Sequence, residues 1–172
     1  MAWWPPKTWT FQEVLSYADL NKYVRDNLQY LYDGVQKVAS QTIRTQTAQV
    51  TLSTGGAWNT VDSGGLGNVA VGEVLSGDFL EISAGAAITA TGGGTLGVAV
   101  YDGTTLLARY VGTKTATTGD SAVIHVAHPF TVGYSSIIVY MIVKPAAAGS
   151  LPAPSGTDKT GWLSVTYKKP PV

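Results

Sequence analysis

The chain of 172 residues contains no cysteine, and this absence excludes disulfides, thiolate metal sites and cysteine nucleophiles together. Charge is scarce as well, because Asp, Glu, Lys and Arg make up 13% of the residues against about 25% in ordinary globular domains. The 11 basic and 11 acidic side chains balance, so there is no net positive field to hold a nucleic acid. Stability must therefore come from packing, and we expect no nucleic-acid partner.

Long hydrophobic runs are also missing. The longest lies around residues 137–143, far short of the about 20 residues that span a bilayer. The start, Met-Ala-Trp-Trp-Pro-Pro, has neither the basic residues nor the apolar stretch of a secretory signal. We expect a protein that is made in the cytosol and has no membrane partner.

Hydrophobic residues are nevertheless abundant, at 45% of the chain. They suffice for a substantial core. With so little charge to keep copies apart, we expect partners in a larger assembly to cover the apolar surface.

Three of the five tryptophans, Trp3, Trp4 and Trp9, lie in the first nine residues around a stiff Pro-Pro pair. Proline fixes an extended backbone, so this pattern predicts an arm. Its indoles, together with Phe11, would attach the protein to a pocket on another subunit. The alternative is that the arm folds back over the chain's own helix.

Apolar residues spaced three and four apart predict one amphipathic helix over roughly residues 17–39. Ser16 and Asp19 have the spacing of a capping box at its start. Two arrangements remain open: a short parallel bundle of identical helices, or a single helix lying on a neighbouring surface. The seam of such a bundle would consist of Val24, Leu28, Leu31, Val35 and Val38.

Beyond about residue 41 the pattern becomes alternating, with turns rich in Gly, Thr, Ser and Asp. It predicts a mainly β protein, in which an arm and helix (1–43) precede an antiparallel, jelly-roll-like β-sandwich (44–172). Asp102-Gly103 predicts a hairpin turn, and residues 145–160 a long exposed loop. Candidate strands lie near 46–53, 57–62, 68–75, 78–90, 95–101, 104–111, 121–128, 135–144 and 161–169.

The segment 137–143 is apolar at both its odd and its even positions, which point to opposite faces of a strand. A strand there must therefore be covered on both faces. The covering layer could be a neighbouring subunit, or the strand could be central within one chain. On the first reading, the subunit interface contains Ile137, Val139, Met141 and Val143.

No group of residues converges on a catalytic centre. The glycine pattern at 92–97 matches a dinucleotide motif by letter but leads into a strand, which indicates a turn. His125 and His128 are three apart in a strand, so alternation places them on opposite faces rather than on one metal. We expect no enzyme activity, no cofactor and no metal. Trp58 and Trp162 form a possible sugar-binding platform, although each could equally be core.

Residues 10–31 resemble the N-terminus of many tailed-bacteriophage virion proteins, where an aromatic-rich start and a Leu-Asn-x-Tyr-x-Arg-Asp-Asn helix precede a variable β domain. The matching residues are Glu13, Val14, Leu15, Asp19, Leu20, Asn21, Tyr23, Arg25, Asp26, Asn27 and Leu28.

The remainder is similar to the trimeric jelly rolls of phage fibre and decoration proteins and of tumour-necrosis-factor-like domains. The similarity lies in the strand at 77–82, the apolar strand at 137–143 and the closing segment 161–167. It implies a homotrimer that other virion proteins hold by the arm and helix, with the sandwich displayed outside. Such a protein would be a capsid decoration, head fibre, minor tail protein or baseplate fibre. The alternative is a receptor- or carbohydrate-binding module that meets a host-surface glycan.

Overall fold

The computed structural model describes residues 16, 18, 20–25, 27–28, 37–155 and 161–170. The chain divides into two compact units, Met1–Lys37 with Lys169–Val172, and Val38–Lys168. In the described part of the first unit, a π-helical turn spans Leu20–Arg25. No helix among the described residues has the length and apolar character needed to cross a membrane.

The described residues do not show the predicted amphipathic helix. Val24 and Leu28 are 46% and 62% exposed. Leu31 and Val35 lie outside the described residues, as do the arm residues assigned to attachment, Trp3, Trp4, Trp9 and Phe11.

The predicted end of that helix near residue 39 is wrong, because Val38 lies in the first β-strand. That strand continues with the β-branched Thr42 and Ile43. Such residues lose side-chain freedom in a helix and favour extended backbone. Val38 is thus removed from the proposed helical seam.

Twelve strands follow one another along the described chain. They are β1 Lys37–Thr45, β2 Val50–Leu52, β3 Asn59–Val61, β4 Val69–Val74, β5 Phe79–Ala87, β6 Thr89–Ala90, β7 Gly94–Asp102, β8 Thr105–Lys114, β9 Ser121–Pro129, β10 Tyr134–Pro145, β11 Gly149–Leu151 and β12 Trp162–Lys169. The prediction of a mainly β, antiparallel protein is confirmed.

The strands form two large sheets and one small sheet. The first sheet has the order β1-β12-β5-β9, the second β3-β10-β7-β8, and the small third sheet β2-β11-β6. In the second sheet, β3 and β4 share one edge of β10, β4 along residues 134–139 and β3 along residues 141–143. Inward side chains of both large sheets belong to one hydrophobic core, in a sandwich-like arrangement.

Strand β10 is the central strand of the second sheet, and its two faces differ. Ile137, Val139, Met141 and Val143 are all 0% exposed in the single chain and belong to its own core. Their assignment to a subunit interface is therefore corrected, because one chain already covers this parity. The outward parity, which contains Tyr140, is the one that faces away from the core.

The predicted hairpin at Asp102-Gly103 is present between β7 and β8, with its turn moved by one residue. Asp102 pairs with Thr105, so the turn consists of Gly103 and Thr104, and Gly103 has a φ of 55°. Glycine adopts this left-handed backbone without the steric cost that a Cβ atom brings. The predicted loop at 145–160 also contains a strand, β11, whose three residues are too few to show alternation.

A buried glutamine, Gln46, joins three separate parts of the chain. Its Nε2 group donates to the carbonyl oxygens of Ala48, Leu151 and Pro152 at 2.9, 3.2 and 2.8 Å. Its Oε1 atom accepts from the backbone N–H of Gly161 at 3.1 Å. Because Gln46 follows β1, Leu151 ends β11 and Gly161 precedes β12, one side chain holds all three strand ends together.

A buried carboxylate closes the turn before β5. Asp78 accepts from the backbone N–H of Leu75 at 2.8 Å and from the hydroxyl of Tyr167 on β12. Burial and this hydrogen bond raise the pKa of Tyr167. Asp78 therefore forms a turn, as an acid beside glycine is expected to do.

Candidate functional site

The outer face of the second sheet contains aromatic and aliphatic side chains that remain partly exposed on regular strands. Its residues are set by register, since directly paired residues of β10, β7 and β8 point to the same side. Four rows result, in order Lys144–Thr95–Lys114, Ile142–Gly97–Val111, Tyr140–Ala99–Arg109 and Ile138–Tyr101–Leu106. One end of this face is therefore basic and the other apolar.

The apolar end consists of two tyrosines with aliphatic neighbours. The rings of Tyr101 and Tyr140 pack edge to face with centroids 5.6 Å apart, a favoured aromatic geometry. Leu106 is exposed. Val111 follows Arg109 by two residues, so it lies on the same face, and it is 60% exposed. None of the residues that the structure describes covers these side chains fully.

Trp58 lies on the same outer face, not in the core. Its Cζ3 atom is 3.2 Å from the position that a Cβ atom on Gly97 would occupy, so the indole sits where only glycine leaves room. The Arg109 guanidinium lies over the ring, 5.6 Å from its centroid, within the range of a cation–π contact. The indole is half-buried and available to a ligand along the rest of its surface.

The loop that carries Trp58 is fixed by its own hydrogen bonds. Asn59 Nδ2 donates to the carbonyl oxygens of Thr54 and Ala57 at 2.9 and 3.0 Å. The N–H of Gly56 donates to the carbonyl of Pro145 at 2.7 Å. Because the loop is tied both to itself and to the end of β10, the indole is held in place before any ligand arrives.

A shallow cavity of about 260 Å³ opens at the basic end. Lys114 and Lys144 flank Thr95 there, one on each neighbouring strand. The remaining wall is backbone and small side chains, from Gly56, Gly94, Pro145 and Ala146.

Trp162, the other predicted platform residue, lies on the outer face of the first sheet. It pairs with Gly85, and its Nε1 atom is 2.7 Å from the position of a Cβ atom on that glycine. Val123, on the far side of Gly85, is 56% exposed. Both platform tryptophans are thus half-buried on outer faces over a glycine, and the two lie on different sheets.

The histidines confirm the predicted separation of faces. His125 points outward and its Nδ1 atom shares a hydrogen bond with Ser83. His128 pairs with the inward Leu80 and its Nδ1 atom shares a 2.8 Å hydrogen bond with the Tyr110 hydroxyl. Burial lowers the pKa of His128 and raises that of Tyr110. Within the described ranges, no three His, Asp or Glu residues cluster as a metal site would require.

The glycine motif also behaves as predicted. Gly92 and Gly93 adopt left-handed backbone, with φ of 80° and 69°. They lead directly into strand β7 rather than into a helix, so the helix N-terminus that a dinucleotide site requires does not follow them.

Sequence reasoning missed the pair of Lys114 and Lys144. The two are thirty residues apart, and their meeting depends on register. Strand β8 has irregularities between Thr95 and Gly97 and between Val100 and Tyr101 of its partner. Each such bulge changes which residues face each other, so counting back from the hairpin turn does not find the pair.

No family model matches the chain, and no curated protein matches it either. Among solved structures, it is similar to dimeric latent PorU from Porphyromonas gingivalis, at 8% identity over 79% of this chain and 13% of that chain, with a TM-score of 0.43. It is also similar to a structure of infectious bursal disease virus strain Gx, at 16% identity over 76% of this chain and 33% of that one, with a TM-score of 0.41. A third is the C-terminal carbohydrate-binding module, of family 6, from the marine laminarinase LamC of Zobellia galactanivorans, at 14% identity over 76% and 93%, with a TM-score of 0.34.

Proposed function

We propose that the chain is a non-enzymatic structural component of a bacteriophage virion, whose jelly-roll domain assembles as a homotrimer on the outside of the particle. The observation that carries the proposal is the apolar end of the outer face of the second sheet. Tyr101, Tyr140 and Leu106 form a patch on regular strands that one chain leaves partly open. Apolar surface on a rigid sheet favours protein contact.

The order of strands supports a jelly roll. Two sheets with the orders β1-β12-β5-β9 and β4-β10-β7-β8 each alternate strands from early and late in the chain. Consecutive long strands from β4 to β5, β8 to β9 and β10 to β12 change sheet, as Greek-key connections do. Such a double-sheet arrangement is common in viral capsid and lectin domains.

Self-association has a physical basis in the charge balance. The net charge is zero, so copies do not repel each other over long range. The two lysines are at the basic end, three rows from Tyr101. Arg109 is in the row of Tyr140, and its guanidinium lies over the indole of Trp58. A second and third copy can therefore cover the row of Ile138, Tyr101 and Leu106 without burying the lysines.

The phage context derives from the resemblance of residues 10–31 to virion proteins. On this proposal the arm and helix attach the chain to other virion proteins, and the sandwich projects outward. The protein would then decorate the head or contribute to a tail or baseplate fibre.

Molecular mass in solution tests the assembly. We expect the full chain to sediment as a trimer at micromolar concentration, and Val111→Glu to sediment as a monomer. Val123→Glu is the matched control, because Val123 is about equally exposed on the outer face of the other sheet. A monomeric parent chain, or dissociation by Val123→Glu and not by Val111→Glu, would refute the assignment.

Attachment is tested in the full chain by replacing Trp3, Trp4 and Trp9 with alanine together. We expect the variant to remain a trimer and to be lost from particles assembled with it. Incorporation at the level of the parent chain would show that the arm is not the anchor.

A second candidate is a glycan-binding module of the same particle. It is favoured by the position of both platform tryptophans on outer faces over glycines, where an indole can meet a sugar ring. A glycan screen of the intact protein, with Trp58→Ala and Trp162→Ala as paired variants, tests it. The absence of any bound glycan would rule it out.

A further inference from the structure

We propose that the cavity between Lys114 and Lys144 binds the carboxylate of an acidic saccharide, whose ring contacts the neighbouring indole of Trp58. This inference rests on the glycan-binding candidate and gives it a location and a ligand class.

Two like charges meet at the cavity. Thr95 is paired directly with Lys144 on one side and with Lys114 on the other. Neighbouring strands are about 4.8 Å apart, so the two lysine stems rise from the same face about 10 Å from each other. Ammonium groups on neighbouring stems of this kind repel each other, and an anion placed between them offsets that repulsion.

Among the described residues, these two charges have no counterion in the cavity. The residues that line the cavity include no acid. In the part of the chain that the structure describes, the ion pair involving Lys168 and Glu81 lies on the outer face of the other sheet, and neither cavity lysine forms one. Arg109 contributes a third cation on the same face, and its recorded partner is the indole of Trp58.

The cavity has the size of a single sugar ring. Its volume of about 260 Å³ lies just below the range of about 300–1,000 Å³ for small-molecule pockets, so it fits one ring with its substituent rather than a long ligand. The Thr95 hydroxyl adds a hydrogen-bonding group between the lysines. Gly94 forms part of the wall without adding a side chain to it.

An aromatic side chain lies beside the cavity. Gly97 is the next outward residue after Thr95 along β7, about 6.6 Å away, and the Trp58 indole lies over it. A flat aromatic surface beside a pair of cations fits a sugar ring that carries a carboxylate. A neutral sugar would leave the lysines uncompensated, and a small inorganic anion would not use the indole.

The probe is a panel of hexuronate oligosaccharides, together with the same oligosaccharides as methyl esters. Calorimetric titration of the full chain should show binding of the acids and at least tenfold weaker binding of the esters. The double variant Lys114→Gln/Lys144→Gln should lose at least tenfold in affinity, as should Trp58→Ala. Lys168→Gln and Phe79→Ala change a cation and its aromatic neighbour on the other sheet. They are the matched controls and should bind as the parent chain does.

The possible outcomes separate this site from the broader candidate. Equal binding of acids and esters, or loss in the controls but not in the lysine variant, overturns the site. Neutral glycans bound through Trp58 or Trp162 while hexuronates are not bound would overturn the acidic ligand and leave the glycan-binding candidate standing. Equally tight binding of an oligoglutamate peptide overturns the saccharide class. Thermal melting of each variant confirms that these surface changes leave the fold intact.

Discussion

Gln46→Ala removes the one side chain that joins the ends of β1, β11 and β12. Four hydrogen bonds disappear, and the carbonyl of Leu151 and the N–H of Gly161 are left buried without this partner. Each lost bond costs about 1 kcal/mol net, and buried groups left unsatisfied cost about 1–3 kcal/mol. Water can reach the two part-buried carbonyls, so we expect a loss of about 2–4 kcal/mol in the free energy of unfolding.

Urea unfolding followed by tryptophan fluorescence measures this loss, and thermal melting should show a fall of about 10 °C in Tm. Gln41→Ala is the control, since Gln41 lies on β1 with an exposed side chain, and it should change stability by less than about 0.5 kcal/mol. If Gln46→Ala also stays within about 0.5 kcal/mol of the parent chain, the side chain does not hold the strand ends together and the reasoning fails.

Gln46→Glu sharpens the same test. The substitution keeps an acceptor for Gly161 but turns a second carboxylate oxygen toward the carbonyls of Leu151 and Pro152. At neutral pH it should destabilise more than alanine does. Burial beside carbonyl oxygens raises the pKa of such a carboxyl, so the folded state binds the proton more tightly than the unfolded state. Its stability relative to the parent chain should therefore rise as the pH falls from 7 to about 5.

Other changes test the interior and the bulge. Burial lowers the pKa of His128 from its ordinary 6.5, so the unfolded chain binds protons more readily and the free energy of unfolding should fall as the pH drops below about 6.5. His128→Gln should remove that part of a urea-unfolding pH profile and His125→Gln should keep it; identical profiles would contradict the assignment. Tyr110→Phe removes a hydrogen bond to His128 and should cost about 1 kcal/mol in the same assay, whereas an unchanged midpoint would show the bond to be neutral. Met141→Ala should lower the free energy of unfolding by about 2–5 kcal/mol without changing the sedimenting mass. A fall in sedimenting mass with unchanged stability would instead place Met141 in a subunit interface. Gly97→Val places a side chain against the Tyr110 carbonyl oxygen, which is 2.6 Å from the Cβ position. It should lower the free energy of unfolding by at least about 1–3 kcal/mol and shift the tryptophan emission. An unchanged spectrum would count against the position of the Trp58 indole.

The β class and most strand positions could be predicted from the sequence, because long strands with one buried face show their period directly. Strand β10 shows the limit of this reasoning. Its two parities are both apolar, and composition does not tell which parity the chain itself covers. The structure places Met141 inward and Tyr140 outward, and that choice depends on the strands that flank β10 on both sides.

Short strands and strand beginnings were less predictable for local reasons. β11 has three residues, including Gly149, whose Cβ position lies 2.2 Å from the Thr89 carbonyl; small residues there serve close backbone approach and give no alternation. Val38 continues the three- and four-residue spacing of the apolar residues before it by coincidence, although it lies in strand β1. The candidate site was half predictable, since Trp58 is conspicuous in the sequence while Lys114 and Lys144 meet only through β-sheet register.

The pairing of β1 with β12, and of β3 with β10, has a consequence for how the protein is made. The first sheet lacks β12 until the ribosome has delivered residues more than a hundred positions beyond β1, and the second lacks β10 until residues more than seventy positions beyond β3 are made. Contacts this distant along the chain slow folding. Each nascent chain therefore exposes unpaired strand edges, and so do the other nascent chains on the same messenger RNA. Such edges tend to pair with one another. We expect the yield of native protein to depend on the spacing of ribosomes and on chaperones that cover those edges.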